Sequence, residues 1–151
     1  ERLNASLPDG VRFLALREVR RDVSGLGESV RAARYRVAAP DGPAVGPALD
    51  AFRGRGPVTL RCERNGKVRA WNLDDHILAL EADGPASFLV TLALGGSDAS
   101  VRPDDVLREI FGAAARGLEV TREDLLLDWC GRLLNPLLAA TAAADVKRAS
   151  G

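Results

Sequence analysis

The sequence predicts an α+β fold: a ferredoxin-like antiparallel sheet with helices on one face, preceded by the end of a similar unit. Three observations carry this. Two strand-like runs flank Asn65-Gly66, two more flank Asp83-Gly84-Pro85, and a well-marked helix, "RPDDVLREIFG", leads into a last alternating run. At 151 residues and 46% hydrophobic content, the chain is long enough for one domain with its own core.

Taken in order, "ERLNASL" reads as the last turns of a helix, stopped by Pro8 and Gly10. The extended run "VRFLALREV" comes next, with Val11, Phe13 and Ala15 alternating. A Ser24 cap predicts a short helix over residues 25–33. "RYRVA" is a strand with Tyr35 and Val37 on one face and Arg34 and Arg36 on the other, pointing away from the core. After the Pro- and Gly-rich loop "APDGPAVGP", a short helix is expected from Ala48 to Phe52.

"PVTLRCER" and "KVRAW", joined by Asn65-Gly66, make a hairpin, because a type I′ turn needs positive φ at both central residues and matches the natural strand twist. Its register sets Arg64 opposite Lys67, Cys62 opposite Arg69 and Leu60 opposite Trp71, with Leu60 and Trp71 anchoring the base. "HILALEA" and "SFLVTLAL" are the next strands. In the helix after them, Pro103 stands early, Asp104 and Asp105 occupy the first turn, Gly112 is the stop, and Val106, Ile110 and Phe111 form the apolar stripe. "LEVTREDLLLDW" is the last strand, with Leu118, Val120 and Arg122 on one face before the denser run Leu125 to Leu127. Residues 1–23 then close a truncated preceding α/β unit, 24–128 form the ferredoxin-like domain, and 129–151 form a helical or partly disordered tail interrupted by Pro136.

The formal net charge is zero, yet the charges are segregated. Between Val11 and Ala39, seven arginines face three carboxylates; between Ala51 and Trp71, six cations face Glu63 alone; between Asn72 and Asp128, four arginines face twelve carboxylates. Such asymmetry marks either a polyanion-binding half or two blocks that neutralise each other on folding. Like charges opposite one another at the hairpin tip are mildly destabilising, which gives the tip a reason to take an anion; a cationic tip also discourages edge pairing.

Catalytic and metal-binding patterns are thin. Cys62 and Cys130 stand far apart and His76 is the only histidine, too few ligands for a zinc site or an iron–sulfur cluster, so no cofactor is expected. His76 after Asp74 and Asp75 reads as a surface strand start, and Asp104, Asp105 and Glu109 as helix-dipole partners. "LGGSD" and "GRG" lack the context of a phosphate loop. No apolar run reaches membrane-spanning length and the charged start is no signal peptide, so a cytoplasmic protein without membrane contact is expected. The first residue is not methionine, and the truncated first unit suggests a fragment.

"LNASLPDGVRFLALREV", "AARYRV", "RPDDVLREIFG" and "VTREDLLLD", in that order, resemble the C-terminal portion of the radical-SAM-associated domain family of unknown function, over roughly residues 2–128. The resemblance implies a companion domain fused to, or encoded beside, cobalamin-binding-type radical SAM proteins, often near a ribonuclease of the E/G type. Asn72-Leu73-Asp74-Asp75 stands where members carry an Asp-Leu-Arg-Pro-like run, and the family's N-terminal half is missing. The three-cysteine motif of a radical SAM cluster is absent too, so the chain resembles the companion and not the radical enzyme. Two functions emerge as expectations. One is a non-catalytic accessory domain presenting RNA to a radical SAM partner, with Arg34, Arg36, Arg61, Arg64, Lys67 and Arg69 as phosphate contacts. The other is a protein-protein interaction scaffold without nucleic-acid binding.

Overall fold

The computed structural model describes residues 3–13, 29–40, 44–64, 66–95, 100–129 and 131–136, and of Cys62, Arg64, Lys67 and Trp129 it describes the backbone. Along these residues run strand β1 (Val30–Ala38), helix α1 (Val45–Arg53), strands β2 (Thr59–Arg64), β3 (Lys67–Asn72), β4 (Ile77–Ala82) and β5 (Ser87–Ala93), helix α2 (Pro103–Phe111), and strands β6 (Glu119–Trp129) and β7 (Arg132–Leu134). Two sheets result: a five-stranded one in the order β4-β5-β1-β6-β7, and the two-stranded hairpin β2-β3. Every pairing is antiparallel, which makes this a mixed α+β fold.

The alternation in β1 explains how the layers form. Val37 lies opposite Phe88, and Tyr35 opposite Val90, so these side chains share the face that packs on the helices. Both helices answer with apolar stripes, Val45, Leu49 and Phe52 from α1 and Val106, Leu107 and Ile110 from α2, in one core with Phe88, Val90 and Leu92. Phe88 and Phe111 meet at 5.6 Å between ring centroids. α2 starts at Pro103, whose missing N–H costs nothing in a first turn, and stops at Gly112, whose φ of 59° is open to glycine.

The structure extends or corrects several expectations. The helix expected over residues 25–33 does not reach that far: β1 already begins at Val30, and Ala32 and Ala33 are fully buried strand residues. Alanine's helical propensity is worth less than two flanking strands that take up its backbone groups. Ser24 and the start of that helix lie outside the described residues, as does the run after Phe13. Val11 to Phe13 belong to no strand; the side chain of Asn4 holds Phe13 instead, donating to its carbonyl at 3.0 Å and accepting from its N–H at 2.7 Å. Upstream, the described residues of the expected helical turns form a 3-10 turn, Asn4–Ser6. α1 is longer than expected, and β7 stands where the tail suggested a helix, paired with β6 from Leu127 to Trp129. The rest of that tail, residues 137–151, lies outside the described residues. Among the described residues no helix is long and apolar enough to cross a membrane.

Candidate functional site

The hairpin is built as its register predicts. Arg64 pairs with Lys67, Cys62 with Arg69 and Leu60 with Trp71, and Gly66 takes φ 72° in the turn. Leu60 and Trp71 are 4% and 6% exposed and belong to the core, so the base is anchored while the tip projects as a sheet of its own. Leu73 secures the exit strand by donating its N–H to the carbonyl of Val58 at 2.8 Å. On the other hairpin face Arg61 is exposed opposite Ala70, and Glu63 lies opposite Val68, which is 72% exposed. Arg69 already has an interaction partner.

The six candidate cations therefore fall into two groups. Arg61, Arg64, Lys67 and Arg69 share the hairpin, whereas Arg34 and Arg36 lie on β1 in the five-stranded sheet, on the face turned away from the helices. Arg36 is engaged: its Nε donates to Glu123 Oε1 at 2.5 Å, and its Nη1 pairs with Asp83 Oδ2. Glu123 reaches it because the β1-β6 register shifts there, with Arg34 opposite Asp124 and Tyr35 opposite Arg122, leaving Glu123 as the extra residue of a bulge. Arg36 thus ties β6 to the turn after β4. Arg34 sits between Thr91 and Asp124; its Nε is buried and makes no hydrogen bond, and Asp124 accepts from the Asn135 side chain at 2.5 Å.

No aromatic platform accompanies these cations among the described residues, because Trp71 is buried and Tyr35 packs against the core. The other candidates have structural places. His76 ends the 3-10 turn Leu73–Asp75, donating its N–H to the carbonyl of Leu73 at 3.0 Å while its own carbonyl accepts from Ala93 at 2.8 Å. The Asn72 side chain caps that turn at the N–H of Asp74. Asp105 pairs with Arg108 at 3.4 Å along α2. Arg55 of "GRG" donates to the carbonyl of Glu109 at 2.9 Å, tying its loop to α2. No group of three or more metal-ligating side chains occurs among the described residues. Cys130 and most of "LGGSD" lie outside them.

One concavity was not anticipated: a cleft of about 700 Å³ between α2 and the start of β6, with Arg108 and Arg116 in its lining. The only sequence signal for it is that these arginines interrupt an otherwise acidic stretch.

A model of the bacterial family described as "Uncharacterized protein conserved in bacteria (DUF2344)" matches residues 1–103. The chain belongs to this family. The matched part of this DUF2344 member spans β1 to β5, including the hairpin and all six candidate cations, and ends where α2 begins. Neither a curated protein nor a solved structure matches the chain.

Proposed function

We propose that this DUF2344 domain is a non-catalytic accessory module that binds RNA and presents it to a radical SAM partner. The observation that carries the binding half is the hairpin, a cationic strand pair projecting from an apolar anchor at Leu60 and Trp71, with Glu63 as its one carboxylate. The radical SAM partner rests on the sequence resemblance. A ferredoxin-like reading of the fold accords with the strand order. With the β2-β3 hairpin as an insertion and β7 as an edge addition, the remaining order is β-α-β-β-α-β with antiparallel neighbours. Arg36, shared by two carboxylates, contributes less than the tip, and without an aromatic platform the contact is chiefly electrostatic.

The test is binding of the purified domain to mixed small RNA at two salt concentrations, beside the triple variant Arg64→Glu, Lys67→Glu, Arg69→Glu. Three phosphate contacts on single strands lower affinity about 20-fold between roughly 50 and 200 mM salt, and the variant should abolish the binding. Binding insensitive to salt, or retained by the folded variant, refutes the reading.

A further inference from the structure

The cations of the hairpin divide between its two faces. Arg64, Lys67 and Arg69 share one face with Leu60, Cys62 and Trp71, and no carboxylate stands among them. Arg61 and Glu63 stand on the other face with Val68. The ladder fixes the spacing of the first group. Arg64 lies directly opposite Lys67, about 5 Å away between Cβ atoms, and Arg69 follows Lys67 by two residues, about 7 Å along the strand. Leu60 and Trp71 hold the base of the ladder in the core, so this spacing is set before any ligand arrives.

The same face has no ring on which a base could stack. Trp71 is the one aromatic residue between Thr59 and Asn72, and it is buried. The chain's other aromatics are four phenylalanines, one tyrosine and a second tryptophan. Phe52 and Phe88 are buried, and Tyr35 and Phe111 pack against the core. Phe13 belongs to the opening segment, and Trp129 ends β6 in the other sheet.

Paired and unpaired RNA meet such a face differently. A single strand offers free bases, and stacking one base on an aromatic side chain is worth about 5- to 150-fold in affinity. The hairpin has no means of making that contact. A double helix hides its bases but sets two phosphate strands side by side, with one charge per about 1.7 Å of axis. Counterion release is correspondingly larger, with an exponent of about 0.9 per phosphate contact against about 0.7 on a single strand. For three contacts at about 50 mM salt the difference is about six-fold in favour of the double helix. With stacking the single strand would win; without it the double helix does. The A-form major groove is too narrow for side chains to read, which leaves the phosphates bordering the wide minor groove.

We infer that the hairpin takes the double-helical stems of RNA, with Arg64, Lys67 and Arg69 on the phosphates bordering the minor groove, and without preference for base sequence. The inference rests on the RNA-binding function proposed above and adds to it the class of RNA that the domain holds.

The test follows fluorescence anisotropy of a labelled RNA duplex of about 16 base pairs with the whole chain, at about 50 and 200 mM salt. Its separate strands, an RNA duplex of unrelated sequence and a DNA duplex of the first sequence are measured alongside. Both RNA duplexes should bind alike, about six-fold more tightly than the single strands at the lower salt, and should weaken about 40-fold at the higher. Lys67→Gln removes one contact and should weaken duplex binding about 15-fold at the lower salt, with circular dichroism checking that the fold is unchanged. Single strands that bind as tightly as the duplex overturn the inference while leaving RNA binding in place. A preference for the DNA duplex, unequal binding of the two RNA duplexes, or duplex binding untouched by Lys67→Gln overturns it as well. Failure of the folded chain to bind any RNA at the lower salt overturns the proposed function and this inference with it.

Discussion

Trp71→Ala should destabilise the whole domain, although Trp71 sits on a hairpin that pairs with no other strand among the described residues. The indole is 6% exposed and shares a core with Leu49, Phe52, Leu73 and Phe88. An aromatic side chain of this kind buries roughly 150–250 Å². At about 25 cal/mol per Å² that is about 4–6 kcal/mol, an upper value because the unfolded chain is itself partly compact. Large-to-alanine changes in cores cost about 3–5 kcal/mol, in agreement. Set against a total stability of about 5–15 kcal/mol, the loss is a large fraction, equivalent to a fall in Tm on the order of 10 °C. Urea denaturation followed by far-ultraviolet circular dichroism measures it, with Val68→Ala on the same strand as control, since Val68 is exposed and its truncation should stay within about 0.5 kcal/mol. A loss below about 1 kcal/mol for Trp71→Ala would mean that the hairpin opens independently of the core, and the anchored-tip argument would fail.

Arg36 links two carboxylates across partly exposed ion pairs, so a double-mutant cycle of Arg36→Gln with Glu123→Gln should give a coupling of about 0.5 kcal/mol that shrinks in about 1 M salt; a coupling unchanged by salt would contradict this. Gly112 takes φ 59° and ψ −131°, and no atom crowds the place a Cβ would occupy, so Gly112→Ala should cost about 1–2 kcal/mol through backbone strain alone, read as a lower urea midpoint with unchanged slope. Phe88→Ala removes a fully buried ring and its contact with Phe111, and should cost about 3–5 kcal/mol; near-neutral behaviour would show that the core at the sheet centre is not as packed as its burial indicates.

The two groups of candidate cations show how far a one-dimensional reading extends. Around Asn65-Gly66 everything needed is local: a two-residue loop sets the register, and the register sets which side chains face each other. Arg34 and Arg36 were legible as residues of the outer strand face, but their partners were not. Glu123 lies 87 positions from Arg36 and Asp83 lies 47 away, and a bulge in β6 brings Glu123 within reach. The cleft between α2 and the start of β6 was illegible for a related reason, since its lining draws on the helix, the 3-10 turn after it and the strand, which meet only in the packed fold.

Sequence alone determined the hairpin and its register, the ends of α2 at Pro103 and Gly112, the strands on either side of Asp83-Gly84-Pro85, and the inward and outward faces of β1. Each depends on turn chemistry, capping or periodicity within a few residues. Tertiary structure alone decided that Ala32 and Ala33 join a strand, that Arg36 is bound by two carboxylates, that β7 pairs with the end of β6, and that a cleft forms between α2 and the start of β6. These depend on contacts between distant segments, where pairing and burial outweigh the local preferences of the chain.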